Sequence, residues 1–136
     1  MGAYEKTLEY ANNRIQFGTP ITSFQLVQSG LVKMLGNITA MQGMMLRLAQ
    51  LMERDGFVSQ ERASLAKAFC SEKMRETVAI GRNLLGGNGI LLEYDVARFF
   101  AAASPVQVWN SAARQVSAQQ GKRRARFRDG RWAITC

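Results

Sequence analysis

Apolar positions recur at helical spacing from the first residues to about residue 103. Tyr4, Leu8, Ala11 and Ile15 stand at i, i+4, i+7 and i+11, which predicts a helix over 3–15. Gly18 and Pro20 end it, and Thr22 or Ser23 suits the N-cap of the next helix. That second helix carries the strongest pattern in the chain. Phe24, Val27, Leu31, Met34, Ile38, Met41, Met45, Leu48 and Met52 alternate steps of three and four. They form an apolar seam about 43 Å long. The other face is mixed, with Gln28, Lys33, Asn37 and Arg47. Gly30, Gly36 and Gly43 each cost about 1 kcal/mol of helix propensity, so close contact with a neighbouring helix is expected at all three. Gly56 suits the C-terminal end.

Ser59 can cap a third helix over about 60–85. Its stripe uses small residues, Ala63, Ala66, Cys70 and Thr77, before widening to Ile80 and Leu84. Gly86-Gly87-Asn88-Gly89 must break this helix. A fourth is expected over about 93–103, ended by Pro105. Short connections between long helices imply antiparallel neighbours, so the predicted fold is all-α, an antiparallel up-down bundle over 1–103. From Ser104 the pattern fails, and 104–136 reads as an irregular, basic, poorly ordered tail.

Composition narrows the chemistry. A chain of 136 residues with 47% hydrophobic content favours one globular domain. There is no histidine, so histidine bases, catalytic triads and the usual zinc sites are excluded. Any proton abstraction falls to a carboxylate. Cys70 and Cys136 form no disulfide framework, and Cys70 reads as a small buried hydrophobe. The net charge of +8 belongs mostly to the tail, where residues 114–136 carry seven basic residues against Asp129 alone. Lys122, Arg123, Arg124, Arg126, Arg128 and Arg131 could contact phosphates. Without a reading motif or clustered aromatics, a solvated tail is the better account and a nucleic-acid partner is not expected. No apolar run approaches the roughly 20 residues that span a bilayer, and the first residues lack a signal-peptide core. The expected location is soluble and intracellular: cytoplasmic in a bacterium, mitochondrial matrix or peroxisome in a eukaryote.

Two loops carry candidate chemistry. Arg14 lies at a helix C-terminus, where a cation is favourable by roughly 0.3–1 kcal/mol; on that structural account Phe17 is a core plug and Gly18-Thr19-Pro20 a turn. Leu84-Leu85-Gly86-Gly87-Asn88-Gly89 is at least a helix stop. Its glycines would also let bare backbone approach a ligand. It is neither a P-loop nor a dinucleotide fingerprint, having no Lys-Ser/Thr after the glycines and no preceding strand.

Taken together, Arg14-Ile15-Gln16-Phe17-Gly18-Thr19-Pro20, Phe24-Gln25-Leu26, Met34-Leu35, Arg75-Glu76 and Asn83-Leu84-Leu85-Gly86-Gly87-Asn88-Gly89-Ile90 resemble the acyl-CoA dehydrogenase family. The nearest likeness is to its glutaryl-CoA dehydrogenase and short-chain acyl-CoA oxidase branch. The motifs run in family order from about Tyr4 to Phe100. The resemblance implies FAD as cofactor, with Arg14 on its pyrophosphate side, within an Arg14-Ile15-Gln16-Phe17 motif, and Gln25 helping to hold it. It implies that Asn83, Leu84, Leu85, Gly86 and Gly87 lie along the FAD of a neighbouring subunit. It also implies dimers or tetramers formed through this helical domain.

The family's base is a glutamate in a Tyr-Glu-Gly-Thr motif, which takes the α-proton of an acyl-CoA thioester while flavin N5 accepts hydride from the β-carbon. Family spacing puts that position near Trp109-Asn110-Ser111. Asn110 is neutral and cannot act as a base. No Tyr-Glu-Gly occurs in the chain, and Glu93 and Asp95 suit the first turn of a helix. Family members also carry a preceding helical domain and a small β-domain that grip flavin and thioester. Acyl-CoA is therefore an expected substrate only if those domains are supplied. The motif resemblance stops after Phe100, and reading-frame slippage or an unrelated fused end would produce such a change. Two expectations stand: an acyl-CoA dehydrogenase segment, or a non-catalytic helical assembly module that touches FAD.

Overall fold

A computed structural model describes residues 1–103 and the backbone of 125–128 and 131–134. Helix α1 spans Gly2–Asn13, α2 Gln25–Asp55 and α3 Gln60–Leu85. A final helix, α4, runs through residues 96–103. Between α1 and α2 lies a small antiparallel hairpin, β1 (Ile15–Gln16) and β2 (Thr19–Pro20), followed by a 3-10 turn over Ile21–Ser23. The described helical part is the expected all-α bundle. None of its helices is long and apolar enough to cross a membrane.

Helices α2 and α3 are antiparallel. Gly30 lies against Ile80 and Leu84, Asn37 bonds to Glu76, and Leu51 shares a hollow with Ala66. The link between them is short because Gly56 takes the left-handed conformation (φ 73°) that ends α2. Helix α1 lies alongside α3 in the same direction, with Ala3 near Val78 and Thr7 near Gly81. A Cβ at Gly81 would lie 2.7 Å from Thr7 Oγ1, so glycine sets this close approach. The core sits where α1, α3 and α4 meet: Ala3, Val78, Leu85 and the fully buried Val96. Burying a side chain such as Val96 or Met34 contributes about 1.5–3 kcal/mol.

Several expectations are corrected. Helix α1 ends before Ile15, which is 63% exposed on the hairpin. The buried face of α1 is Ala3, Thr7 and Ala11, and Thr7 is tolerated there because its hydroxyl donates to the Ala3 carbonyl at 2.7 Å. Neither Thr22 nor Ser23 caps α2. Phe24 is the N-cap, and Gln28 Nε2 ties the turn by donating to the Thr22 carbonyl at 2.9 Å. Ser59 occupies the N-cap of α3 without a side-chain bond. Asn37 is buried, Ala63 is exposed, and Gly30 alone of the three α2 glycines meets a neighbour. The fourth helix starts late because Leu92–Tyr94 forms a 3-10 turn and Asp95 adopts φ 57°.

Within the stretch expected to be irregular, β3 (Ala125–Arg128) pairs antiparallel with β4 (Arg131–Ile134), Phe127 opposite Trp132. Trp109, Asn110, Ser111 and the expected boundary after residue 103 lie outside the described residues.

Candidate functional site

The C-terminal ends of α1 and α3 converge at one corner of the bundle. At Arg14 the backbone turns extended (φ −81°, ψ 111°), while its N–H still donates to the Tyr10 carbonyl at 2.8 Å. The Arg14 carbonyl accepts from the Ile21 N–H at 2.9 Å and so closes the base of the hairpin. Phe17 and Gly18 make its two-residue turn, at φ 52° and 81°. Positive φ at both positions is the signature of the turn that matches strand twist. Gly18 adopts it freely, whereas Phe17 bears roughly 1–2 kcal/mol of strain. Its ring is no core plug: it is 93% exposed, with Phe24 edge-on at 6.2 Å.

Helix α3 stops at Gly86 (φ 59°), and Gly86–Ile90 coils into a 3-10 turn. Gly89 is pressed against the Arg82 carbonyl, where no Cβ fits. Asn88 Nδ2 donates to Tyr10 Oη at 2.9 Å, and the Tyr10 ring stands edge-on to Tyr94 at 5.3 Å. Between the two chain segments lies an open cleft of about 360 Å³. Tyr10, Arg14, Gln16 and Ile21 form one wall; Asn83, Leu84, Leu85, Gly86, Gly87 and Asn88 form the other.

Arg14, Gln16 and the run from Asn83 to Gly87, picked out by sequence, thus meet in one place. Phe17 and Gln25 do not line the cleft. Phe17 tips the hairpin, and Gln25 is exposed at the first position of α2. Tyr10, Ile21 and Asn88 are wall residues that sequence reasoning missed. Tyr10 had a usable signal, since it precedes Arg14 by one helical turn.

Among the residues lining this cleft, Arg14 carries the only charge, and it makes no ion pair among the described residues. The carbonyl ends of α1 and α3 both border the cleft, and each brings about half a negative charge. An anion here therefore depends on Arg14 and on the amide groups of Gln16 and Asn83 rather than on helix dipoles. A second hollow of about 350 Å³ shares Tyr10, Arg14 and Asn88 and adds Lys6, Glu9, Asn13, Glu93 and Tyr94. There the Lys6–Glu9 pair at 3.1 Å neutralises itself, and the bond that Lys6 donates to Glu9 holds its ammonium above its usual pKa. Burial pushes the half-buried Cys70 thiol up from its ordinary pKa. No cluster of metal-ligating side chains occurs among the described residues.

Fold and cleft define a helical-bundle domain with one cationic, glycine-edged groove. The chain belongs to the acyl-CoA dehydrogenase family: residues 1–116 match the family's C-terminal domain. The match runs past Phe100, where the motif resemblance ends. A chain from the structure of the electron-transferring flavoprotein of Acidaminococcus fermentans is 27% identical, with a TM-score of 0.78 over 87% of this chain and 32% of that one. Butyryl-CoA dehydrogenase from Megasphaera elsdenii is 26% identical, with a TM-score of 0.77 over 87% and 31%. The prolyl acyl carrier protein oxidase AnaB, 24% identical with a TM-score of 0.76 over 87% and 32%, shares the fold. The chain spans about a third of the length of each of these proteins.

Proposed function

We propose that this chain is the FAD-contacting, subunit-pairing helical segment of an acyl-CoA dehydrogenase-type flavoenzyme. The observation that carries this reading is the meeting of Arg14 with the Gly86-Gly87 turn in one cleft. The residues present suit a dinucleotide. A guanidinium matches diphosphate oxygens in charge and geometry. A Cβ added at Gly86 or Gly87 would meet no atom within 4 Å, so these glycines border open space that a diphosphate can enter. Gln16 and Asn83 offer amide donors and acceptors to sugar or ribityl hydroxyls. Phe17 and Gln25 lie outside the cleft, so their proposed role is toward a part of the cofactor that would project beyond it. When bound, FAD supplies a two-electron acceptor, and this segment binds and orients it.

The substrate class is an acyl-CoA thioester, glutaryl or short-chain, met only when further domains complete the pocket. The assembly is a homo-oligomer, a dimer or tetramer paired through α2. Val32, Leu35 and Leu46 are exposed along a face of α2 that also carries Gly36 and Gly43, whose surroundings are open. A second reading has its own support. With no Tyr-Glu-Gly in the chain and family spacing putting the base position near Asn110, the segment on this reading is a non-catalytic FAD-binding assembly module.

Titrating the purified chain with FAD and following flavin fluorescence tests the reading. The chain is expected to bind, and Arg14→Ala to weaken binding about 10- to 100-fold, the loss of one charge-assisted contact. Absence of binding, or an affinity untouched by Arg14→Ala, rejects the proposal. If FAD binds but a short-chain acyl-CoA never bleaches the flavin even when the family's preceding helical domain and β-domain are supplied alongside this chain, the non-catalytic reading is favoured.

A further inference from the structure

We propose that Tyr10 and Asn88 are positioning residues whose hydrogen bond fixes the Gly86-Gly87 turn at a set distance from Arg14. Cation and bare backbone then meet the same diphosphate-bearing ligand. This role rests on the FAD reading above.

Tyr10 acts at both ends of the geometry. Its carbonyl accepts the Arg14 N–H at 2.8 Å and so ends α1 where the arginine leaves it. Its hydroxyl accepts Asn88 Nδ2 at 2.9 Å from a residue 78 positions away. The ring between those two groups is itself held, edge-on to Tyr94 at an interplanar angle of 87°. The turn has a second anchor, Gly89 against the Arg82 carbonyl, but that contact ties it to α3 alone. Only the Asn88–Tyr10 bond links the turn to the arginine's helix by side chains among the described residues. Both residues are half-buried and line both hollows. The bond is therefore partly shielded from water that would otherwise compete for it. A neutral hydrogen bond of this kind corresponds to an effect of about three- to tenfold on an equilibrium.

The test uses the full chain and two variants. Tyr10→Phe keeps the ring and its contact with Tyr94 and removes only the hydroxyl; Asn88→Ala removes the other partner. Without ligand, amide hydrogen exchange is read at Leu91, whose N–H donates to the Asn88 carbonyl at 3.1 Å. Both variants are expected to speed exchange there and leave the α2–α3 amides unchanged. In FAD titrations each should weaken binding three- to tenfold, and the double variant should be no weaker than either alone. In the Tyr10→Phe background, Arg14→Ala should also cost less than it does in the parent chain. Fully additive losses, unchanged exchange at Leu91, or a lowered Tm with FAD affinity intact would each overturn the proposal. If the parent chain binds no FAD, the FAD reading fails, and the exchange result alone then decides whether the brace exists.

Discussion

Gly89 and Gly87 are two residues apart and do opposite things. Gly89 is buried with the Arg82 carbonyl against it, so a methyl group must displace backbone. Gly89→Ala is expected to lower stability by about 1–3 kcal/mol in urea or thermal unfolding. Gly87 faces open space, so Gly87→Ala should leave stability within about 0.5 kcal/mol while weakening FAD binding. Sequence shows a glycine cluster and hence a helix stop. It does not show which glycine is there for φ, which for contact and which for access, because those depend on neighbours from α3 and on the cleft. Asn37 makes the same point. A helical wheel puts it on a polar face, yet it is buried, because Glu76 on α3 accepts its amide at 3.2 Å. Periodicity registers polarity, not the partner that offsets it.

At the scale of elements, the bounds of α3 were legible because Ser59 and Gly86 both punctuate it. The early end of α1 was not, since a two-residue turn of positive φ usually announces itself with Asn-Gly, and here it is Phe17-Gly18. Also hidden was the polar tie between α2 and α3. Glu76 takes Lys33 at 2.6 Å and Lys73 at 2.8 Å. Bonds from these two ammonium groups hold its carboxyl down at about 2, from an ordinary 4.5. A carboxylate held low in the folded chain adds stability above its unfolded pKa, and loses it as pH falls through the folded one. With 29% of the Glu76 side chain still exposed, solvent screening reduces the gain to about 1–2 kcal/mol. That contribution should be present above pH 4.5 and fade toward pH 2. The stability difference between the parent chain and Glu76→Gln, followed by urea unfolding, should shrink over the same interval. A difference that stays constant from neutral pH to pH 2 would show that the ion pairs contribute nothing.

For the molecule as a whole, the long seam of α2 proved an incomplete guide. Its stretch from Leu31 to Ile38 is covered by α3, whereas Met45 and Met52 stay more than half exposed. A second apolar stripe, Val32 with Leu35 and Leu46, is bare. The pattern revealed that α2 needs neighbours but not which of its apolar faces stays exposed in this chain. Exposed apolar surface of this kind supports the proposed pairing of subunits. The parent chain should therefore run as a dimer or larger species in light scattering, and Val32→Glu with Leu46→Glu should yield monomers; a parent chain already monomeric at micromolar concentration would refute the pairing. The arginine wall of the cleft comes from the end of α1 and its glycine wall from the end of α3, two helices joined by a contact built on Thr7 and Gly81. Ribosomal synthesis delivers Arg14 long before Asn88, so both walls of the cleft exist only once that length of chain has been made. On the proposed FAD reading, a cleft walled by both helices ties ligand occupancy to the docking of α1, and saturating FAD should slow proteolysis at the amino-terminal helix first.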